Sequence, residues 1–188
     1  MREKINFYFF LTLLFISCST GSYSSLEESE LRSGIRYDSL FLGVKFGMTS
    51  SDFYSHCWDL NKKKLVSQGP SNNSVRYMIP TESIGQNIEM LFYPVFNKDT
   101  VYEVNSTYSY TAWAPWNEGT SSDFLMDEVK NILEDWYGSD FLSIENPKND
   151  DVLFVTVNGN RRITLTEISD REVRARFTDL SVEKKLKK

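Results

Sequence analysis

His56 and Cys57 stand side by side, and a thiolate attacks carbonyl carbons when a neighbouring imidazole takes its proton. They are the sole histidine and one of two cysteines in the 188-residue chain. Both fall in a stretch that reads as helix, where adjacent side chains point about 100° apart. They therefore do not face each other. Cys57 shares a stripe with Phe53 and Leu60, at i, i+4 and i+7, and reads as a small buried hydrophobe. One histidine and one thiol do not make a zinc site by themselves.

Carboxylates are more numerous: Asp127, Glu128, Glu134, Asp135, Asp150 and Asp151. Paired acids cleave glycosides only at a defined separation inside a cleft. Four of these six belong to a helix whose other face is apolar, so they read as its solvated side. No calcium loop, glycine-rich phosphate cradle, nucleophile elbow or H-E-x-x-H stands in the sequence. The expectation is a protein without catalytic residues, metal or cofactor.

Two groups suit recognition better. Phe92, Tyr93, Phe96, Tyr102, Tyr108, Tyr110, Trp113 and Trp116 fall within 25 residues, where the average aromatic content of 14% would give three or four. Trp113 and Trp116 flank Pro115 in a loop. They are expected to cap the core; the alternative is a surface patch, with Tyr108 and Tyr110, that stacks on a sugar or anchors a protein partner. Arg161, Arg162, Arg171, Arg174 and Arg176 cluster near the C-terminus. Arg174 and Arg176 alternate with Val173, Ala175 and Phe177, which puts them on one outer face. That face suits phosphate or carboxylate partners, or else is simply solvated and partly neutralised by Glu167, Asp170 and Glu172.

The elements that must position these groups are legible in part. Phe41–Phe46 reads as a strand ended by Gly47, and Thr49 stands three residues before Asp52 in a capping box that opens a helix. That helix ends at Asn61 and the Lys62–Lys64 run, where cations favour the helix dipole. The letters TSSDF recur at Thr120–Phe124 and open a second helix, about Asp123–Tyr137, with Leu125, Val129, Ile132 and Trp136 as its apolar stripe and Gly138 just past its end. Val75–Ile79, Asn87–Tyr93 and Thr100–Tyr110 read as strands after the first helix. Val152–Val157, Arg161–Ile168 and Glu172–Thr178 follow the second. Asn158-Gly159 signals a tight hairpin between two of them. The pattern predicts an α+β fold of two tandem helix-plus-three-strand units, about 41–110 and 111–180, with the helices on one face of an antiparallel sheet.

The N-terminus predicts the location. Arg2 and Lys4 precede an apolar run, Ile5–Ile16, too short to span a bilayer and suited to a secretory signal. Ile16-Ser17-Cys18 after it resembles the lipobox of bacterial lipoproteins, which implies that residues 1–17 are removed and Cys18 is lipidated. Ser19 stands where an aspartate would resemble an inner-membrane retention signal, which points to the outer membrane. Residues 18–36 are poor in large apolar groups and predict a flexible tether spanning roughly 20–25 Å. Residues 37–180 would be the domain and 181–188 a fraying charged tail. The net charge of −5 argues against nucleic acid as a partner.

Gly47-Met48-Thr49 followed by a helix resembles the G-M-T opening of small outer-membrane lipoproteins of the SmpA/OmlA (BamE) type. The tandem helix-and-sheet plan is also similar to β-lactamase-inhibitor-protein-like modules. Both resemblances imply the architecture, and relatives that bind other proteins rather than catalyse. The expectation is thus a lipid-anchored, non-catalytic binding or scaffold module of the cell envelope, facing periplasm or surface. Its partner would be another envelope protein or a glycan; the alternative is a small-ligand or glycan receptor using the aromatic loop.

Overall fold

The computed structural model describes residues 19–70, 73–81, 86–145 and 152–187. The signal segment, Cys18, Asp150 and Asp151 lie outside the described residues. Eight antiparallel strands form one sheet in the order β1-β2-β3-β4-β8-β7-β6-β5. They are β1 Ser67–Gln68, β2 Val75–Ile79, β3 Ile88–Asn97, β4 Thr100–Tyr110, β5 Leu142–Glu145, β6 Val152–Asn158, β7 Arg161–Ser169 and β8 Glu172–Asp179. The helices are α1 Ser19–Ser33, α2 Ser50–Lys62, α3 Ser122–Tyr137 and α4 Leu180–Leu186. The α+β class and the antiparallel sheet are as expected. Each half is a meander of neighbouring strands, and the halves join where the two last strands, β4 and β8, pair.

Alternation along the strands makes the two faces of the sheet different. Ile88, Met90 and Phe92 of β3, Val104 and Tyr108 of β4, Ile163 and Leu165 of β7, and Val173, Ala175 and Phe177 of β8 share one buried face. Leu125, Val129 and Leu133 of α3 close over it, all fully buried. This stripe is rotated from the expected one: Trp136 emerges to 39% exposure, and Leu133 takes the inner place. Gly138 ends α3 at φ +68, its N–H donating to the Glu134 carbonyl 2.7 Å away, as its position in the sequence predicts.

The repeated TSSDF letters do not cap alike. Thr49 is the N-cap of α2, with its Oγ1 accepting from the Asp52 amide at 3.1 Å. Thr120 instead ends a 3₁₀ turn and donates back to the Asn117 carbonyl, so Ser121 becomes the N-cap of α3.

Residues 41–46 are not a strand. Leu42 and Gly43 turn at φ +53 and +80, and a single bridge, Ser39 to Lys45, closes the loop. The apolar run exists because Phe41, Val44 and Phe46 plug the core, each no more than 5% exposed. His56 pins this plug: its Nε2 donates to the Leu42 carbonyl at 2.6 Å. A Cβ at Gly43 would stand 2.9 Å from the imidazole, so the position needs glycine twice over.

The β3–β4 hairpin turns on Lys98-Asp99, both with positive φ (+47 and +69), the arrangement of a type I′ turn. Asp99 has a use there, because its carboxylate holds the Ser50 hydroxyl at the start of α2. Lys98 makes no such contact. Lys98→Asn, which tolerates the left-handed region, is expected to raise stability by about 1 kcal/mol. A shift of the urea midpoint upward checks it, and an unchanged midpoint refutes it. The β6–β7 hairpin forms as expected, but its central residues are Gly159 and Asn160, one position later than predicted.

The largest departure is at the two ends. Residues 19–33 form α1 rather than a random coil, and the 180–186 segment forms α4 rather than a frayed tail. Tyr23, Leu26 and Leu31 of α1 pack on Val155, Val157 and Leu180. Val155 and Val157 lie on the face of β6 opposite α3, so helices cover both faces of the sheet, not one. The few large side chains in a polar segment were enough because the sheet offered them an apolar patch.

Ionic contacts reinforce the seat. Arg162 donates to Glu183 at 2.9 Å and to the Tyr23 hydroxyl at 3.3 Å, with Glu27 3.8 Å away; Lys184 reaches Glu27 at 2.6 Å. Glu30 accepts from the Gly159 amide at 2.7 Å. A Cβ at Gly159 would meet the Ile35 carbonyl at 2.3 Å, so only glycine lets the strap after α1 pass this turn.

Partial burial opposes ionisation of Glu27 and Glu183. Yet hydrogen bonds, from Lys184 and Tyr23 to the first and from Arg162 and Lys187 to the second, hold both below the ordinary carboxylate range. A depressed folded pKa adds stability above the unfolded value, near pH 4.3, that is lost as pH falls through the folded one. We expect α1 and α4 to loosen below about pH 4 while the sheet persists. Hydrogen exchange in α1 that is no faster at pH 3 than at pH 7, after correction for intrinsic rates, would refute this.

Candidate functional site

Arg161 and Arg162 open β7, and the pleat sends them to opposite faces. Arg162 goes to the α1 side and finds acids. Arg161 goes to the α3 side and, among the described residues, has no acid within ion-pair distance; its cross-strand neighbour Asp179 pairs with Arg36 instead. Its Nη1 donates to the Ser39 carbonyl at 3.0 Å, its guanidinium lies 4.2 Å from the Tyr137 ring centre and 5.4 Å from that of Tyr37, and its Nε has no hydrogen-bond partner among the described residues. The residue is only 6% exposed. Burial lowers its pKa, and the rings of Tyr137 and Tyr37 with the Ser39 carbonyl are what face its charge among the described residues. A covered cation without a carboxylate is uncommon, because desolvation is costly and π-faces return only part of it.

Beside this charge lies a cleft of about 340 Å³, lined by Leu40, Phe41, Leu42, Tyr77, Trp136 and Tyr137. Each wall follows from local folding. The Leu42-Gly43 turn presents Leu40, Phe41 and Leu42, while the C-terminal turn of α3 presents Trp136 and Tyr137. Phe41 is anchored edge-on against Phe92 and Phe177, at 5.0 and 5.2 Å, with Trp136 at 6.4 Å. Among the described residues the Tyr137 hydroxyl has no hydrogen-bond partner, and burial pushes its pKa well up. So the cleft has an aromatic lining and, behind one wall, two unfilled donors. It suits a small apolar guest with a polar or negative end.

The residues singled out from sequence are dispersed. Tyr108 and Tyr110 are core side chains, 0% and 3% exposed, and not part of a surface patch. Their alternation on β4 puts them inward; Tyr108 lies in the layer under α3, and the Tyr110 hydroxyl donates to Glu128 at 2.8 Å. Arg161 and Arg162 are buried, 6% and 8% exposed, and so do not belong to an open arginine face. Arg174 and Arg176 do lie on the outer face, both exposed, with Arg176 3.5 Å from Glu103.

Trp116 is 85% exposed, which overturns its expected place as a core cap. Trp113 is half-buried under Arg171, 5.4 Å from its ring centre. Pro115 and the short 111–117 link keep this loop outside the sheet. Cys57 is half-buried, and this burial raises its thiol pKa to about 11. With His56 bonded to Leu42, the pair has a packing role. Among the described residues no three His, Cys, Asp or Glu side chains converge on a metal position.

The cleft itself escaped sequence reasoning. Leu40–Leu42 and Trp136-Tyr137 are 94 residues apart or more, and each reads as core. The available signal was Tyr137-Gly138, an aromatic beside a helix terminus, which is common to many buried helices.

Comparison with known proteins adds little. No family model matches the chain, and no curated protein matches it. Among solved structures, a DUF4309 family protein (YjgB) from Bacillus subtilis aligns over 83% of this chain and 94% of its own, at 11% identity and a TM-score of 0.33. That level of similarity assigns neither fold nor function.

Proposed function

We propose that this chain is a lipid-anchored, non-catalytic binding module of the cell envelope, outer membrane in location. The aromatic cleft beside Arg161 is the observation that carries the binding half of this reading. The lipobox-like Ile16-Ser17-Cys18 supports the anchor. A lipid on Cys18 would sit directly ahead of α1, which is seated on the sheet through Tyr23, Leu26 and Leu31. The domain would then be held against the membrane instead of swinging on a tether. No described helix is long and apolar enough to cross a membrane. Palmitate labelling of the full chain is expected, with label and membrane association both lost in Cys18→Ser. A Cys18→Ser chain that remains labelled refutes the anchor.

A second reading, glycan or protein-partner recognition by the loop at Trp113 and Trp116, is favoured by the exposure of Trp116. Envelope glycans should then shift tryptophan emission in the wild type and not in Trp116→Phe; no shift in either refutes it. Duplication of a helix-plus-meander unit accounts for the sheet order, in which 1-2-3-4 is followed by 8-7-6-5. The unlike capping of the two TSSDF motifs would then be later divergence.

A further inference from the structure

We propose that the Phe41–Tyr137 cleft takes a small hydrophobic monocarboxylate, with Arg161 as its counter-charge; this deepens the binding reading above and rests on it. Three observations converge. The cleft holds about 340 Å³, room for a one- or two-ring acid or a short acyl chain, and its aromatic and leucine walls suit an apolar body. A strongly hydrated dianion such as phosphate would lose its water there for few replacement donors. Arg161 supplies the missing polar partner: it is buried and, among the described residues, it has no ion pair, its Nε being without a hydrogen bond like that of Arg162. Its head lies against the inner side of the cleft wall, since Tyr137 covers it at 4.2 Å and its one hydrogen bond ends on Ser39, next to cleft-lining Leu40.

The contrast with Arg162 argues that this isolation is a property of the site. One residue further along the same strand, Arg162 stands 2.9 Å from Glu183 and 3.8 Å from Glu27. A carboxylate is the partner that Arg161 lacks, and a bidentate carboxylate matches the guanidinium edge. The 40–43 turn is held by the His56 bond to Leu42, by Phe41 in the core and, just before it, by the Arg161 bond to Ser39, so adjustment for a guest falls to the half-buried Leu40 and Leu42 side chains.

The test uses the full chain in neutral nanodiscs, titrated calorimetrically with 2-naphthoate and with its uncharged analogue 2-naphthylmethanol. Binding to empty nanodiscs is subtracted. We expect naphthoate to bind at least tenfold more tightly than the alcohol. Arg161→Met, which keeps the apolar stem, should abolish that preference while leaving alcohol binding intact. Leu40→Trp, which fills the cleft and leaves Arg161 in place, should remove both and keeps the proposal testable if Arg161→Met does not fold. Equal affinity for the two probes, or a preference that survives Arg161→Met, overturns the carboxylate assignment but leaves the cleft a binding site. Binding of neither probe overturns the carboxylate assignment together with the cleft reading.

Discussion

Arg162→Ala is expected to destabilise the folded chain by about 3 kcal/mol and to release α1 and α4 from the sheet. The arginine is 8% exposed and bonds Glu183 and Tyr23, with Glu27 close by. Both acids are largely covered themselves, their side chains 15% and 13% exposed. Removing the cation strands two desolvated carboxylates, and breaking a buried ion pair in this way typically costs about 3–5 kcal/mol. The lower end is expected because Lys184 and Lys187 remain as partners. Urea unfolding measures the loss, and hydrogen exchange in α1 locates it. A loss under 1 kcal/mol, with α1 still protected, would mean that the apolar contacts of Leu26 and Leu31 hold the helix alone. Replacing the whole set, Arg162→Met with Glu27→Leu and Glu183→Leu, should recover most of the stability, since well-packed apolar groups carry no desolvation cost.

Phe41→Ala is expected to cost about 3 kcal/mol as well, by a different route. Phe41 is 5% exposed and wedged between Phe92 and Phe177, so truncation forfeits its transfer energy and leaves a cavity. It also removes one wall of the cleft, so naphthoate affinity should fall in parallel. The His56–Leu42 hydrogen bond limits how far the loop can collapse into the space. Urea unfolding of the variant measures the effect. A cost below 1 kcal/mol would show that residues 41–46 are a loose cover and not part of the core.

Much of the fold was legible in local pattern. Residues β2 Val75–Ile79 and β4 Thr100–Tyr110 are bounded as alternation and turn chemistry place them. The Thr49 cap of α2 and the Gly138 end of α3 were readable because each depends on a few adjacent residues. Strand β5 was missed, as its four residues are mostly exposed and carry no strong alternation. β3 runs past Pro94, where the expected strand stopped at Tyr93. There β2 no longer pairs, so a missing N–H costs the sheet nothing.

What the sequence by itself determined is local: the α+β class, most strand positions, the α2 cap, and the outer placement of Arg174 and Arg176. Each rests on hydrogen bonds or alternation within a few residues, so short windows carry the information. Only the tertiary structure decided that residues 19–33 fold as a helix, that Phe41–Phe46 loops into the core, and that Arg161 and Arg162 have opposite fates. Those outcomes depend on which distant surface a side chain meets. For α1 it is an apolar patch around Val157; for Arg162, two acids; for Arg161, two rings and a backbone carbonyl. Burial and ion pairing are properties of such long-range contacts, and identical arginines one residue apart carry no local sign of them.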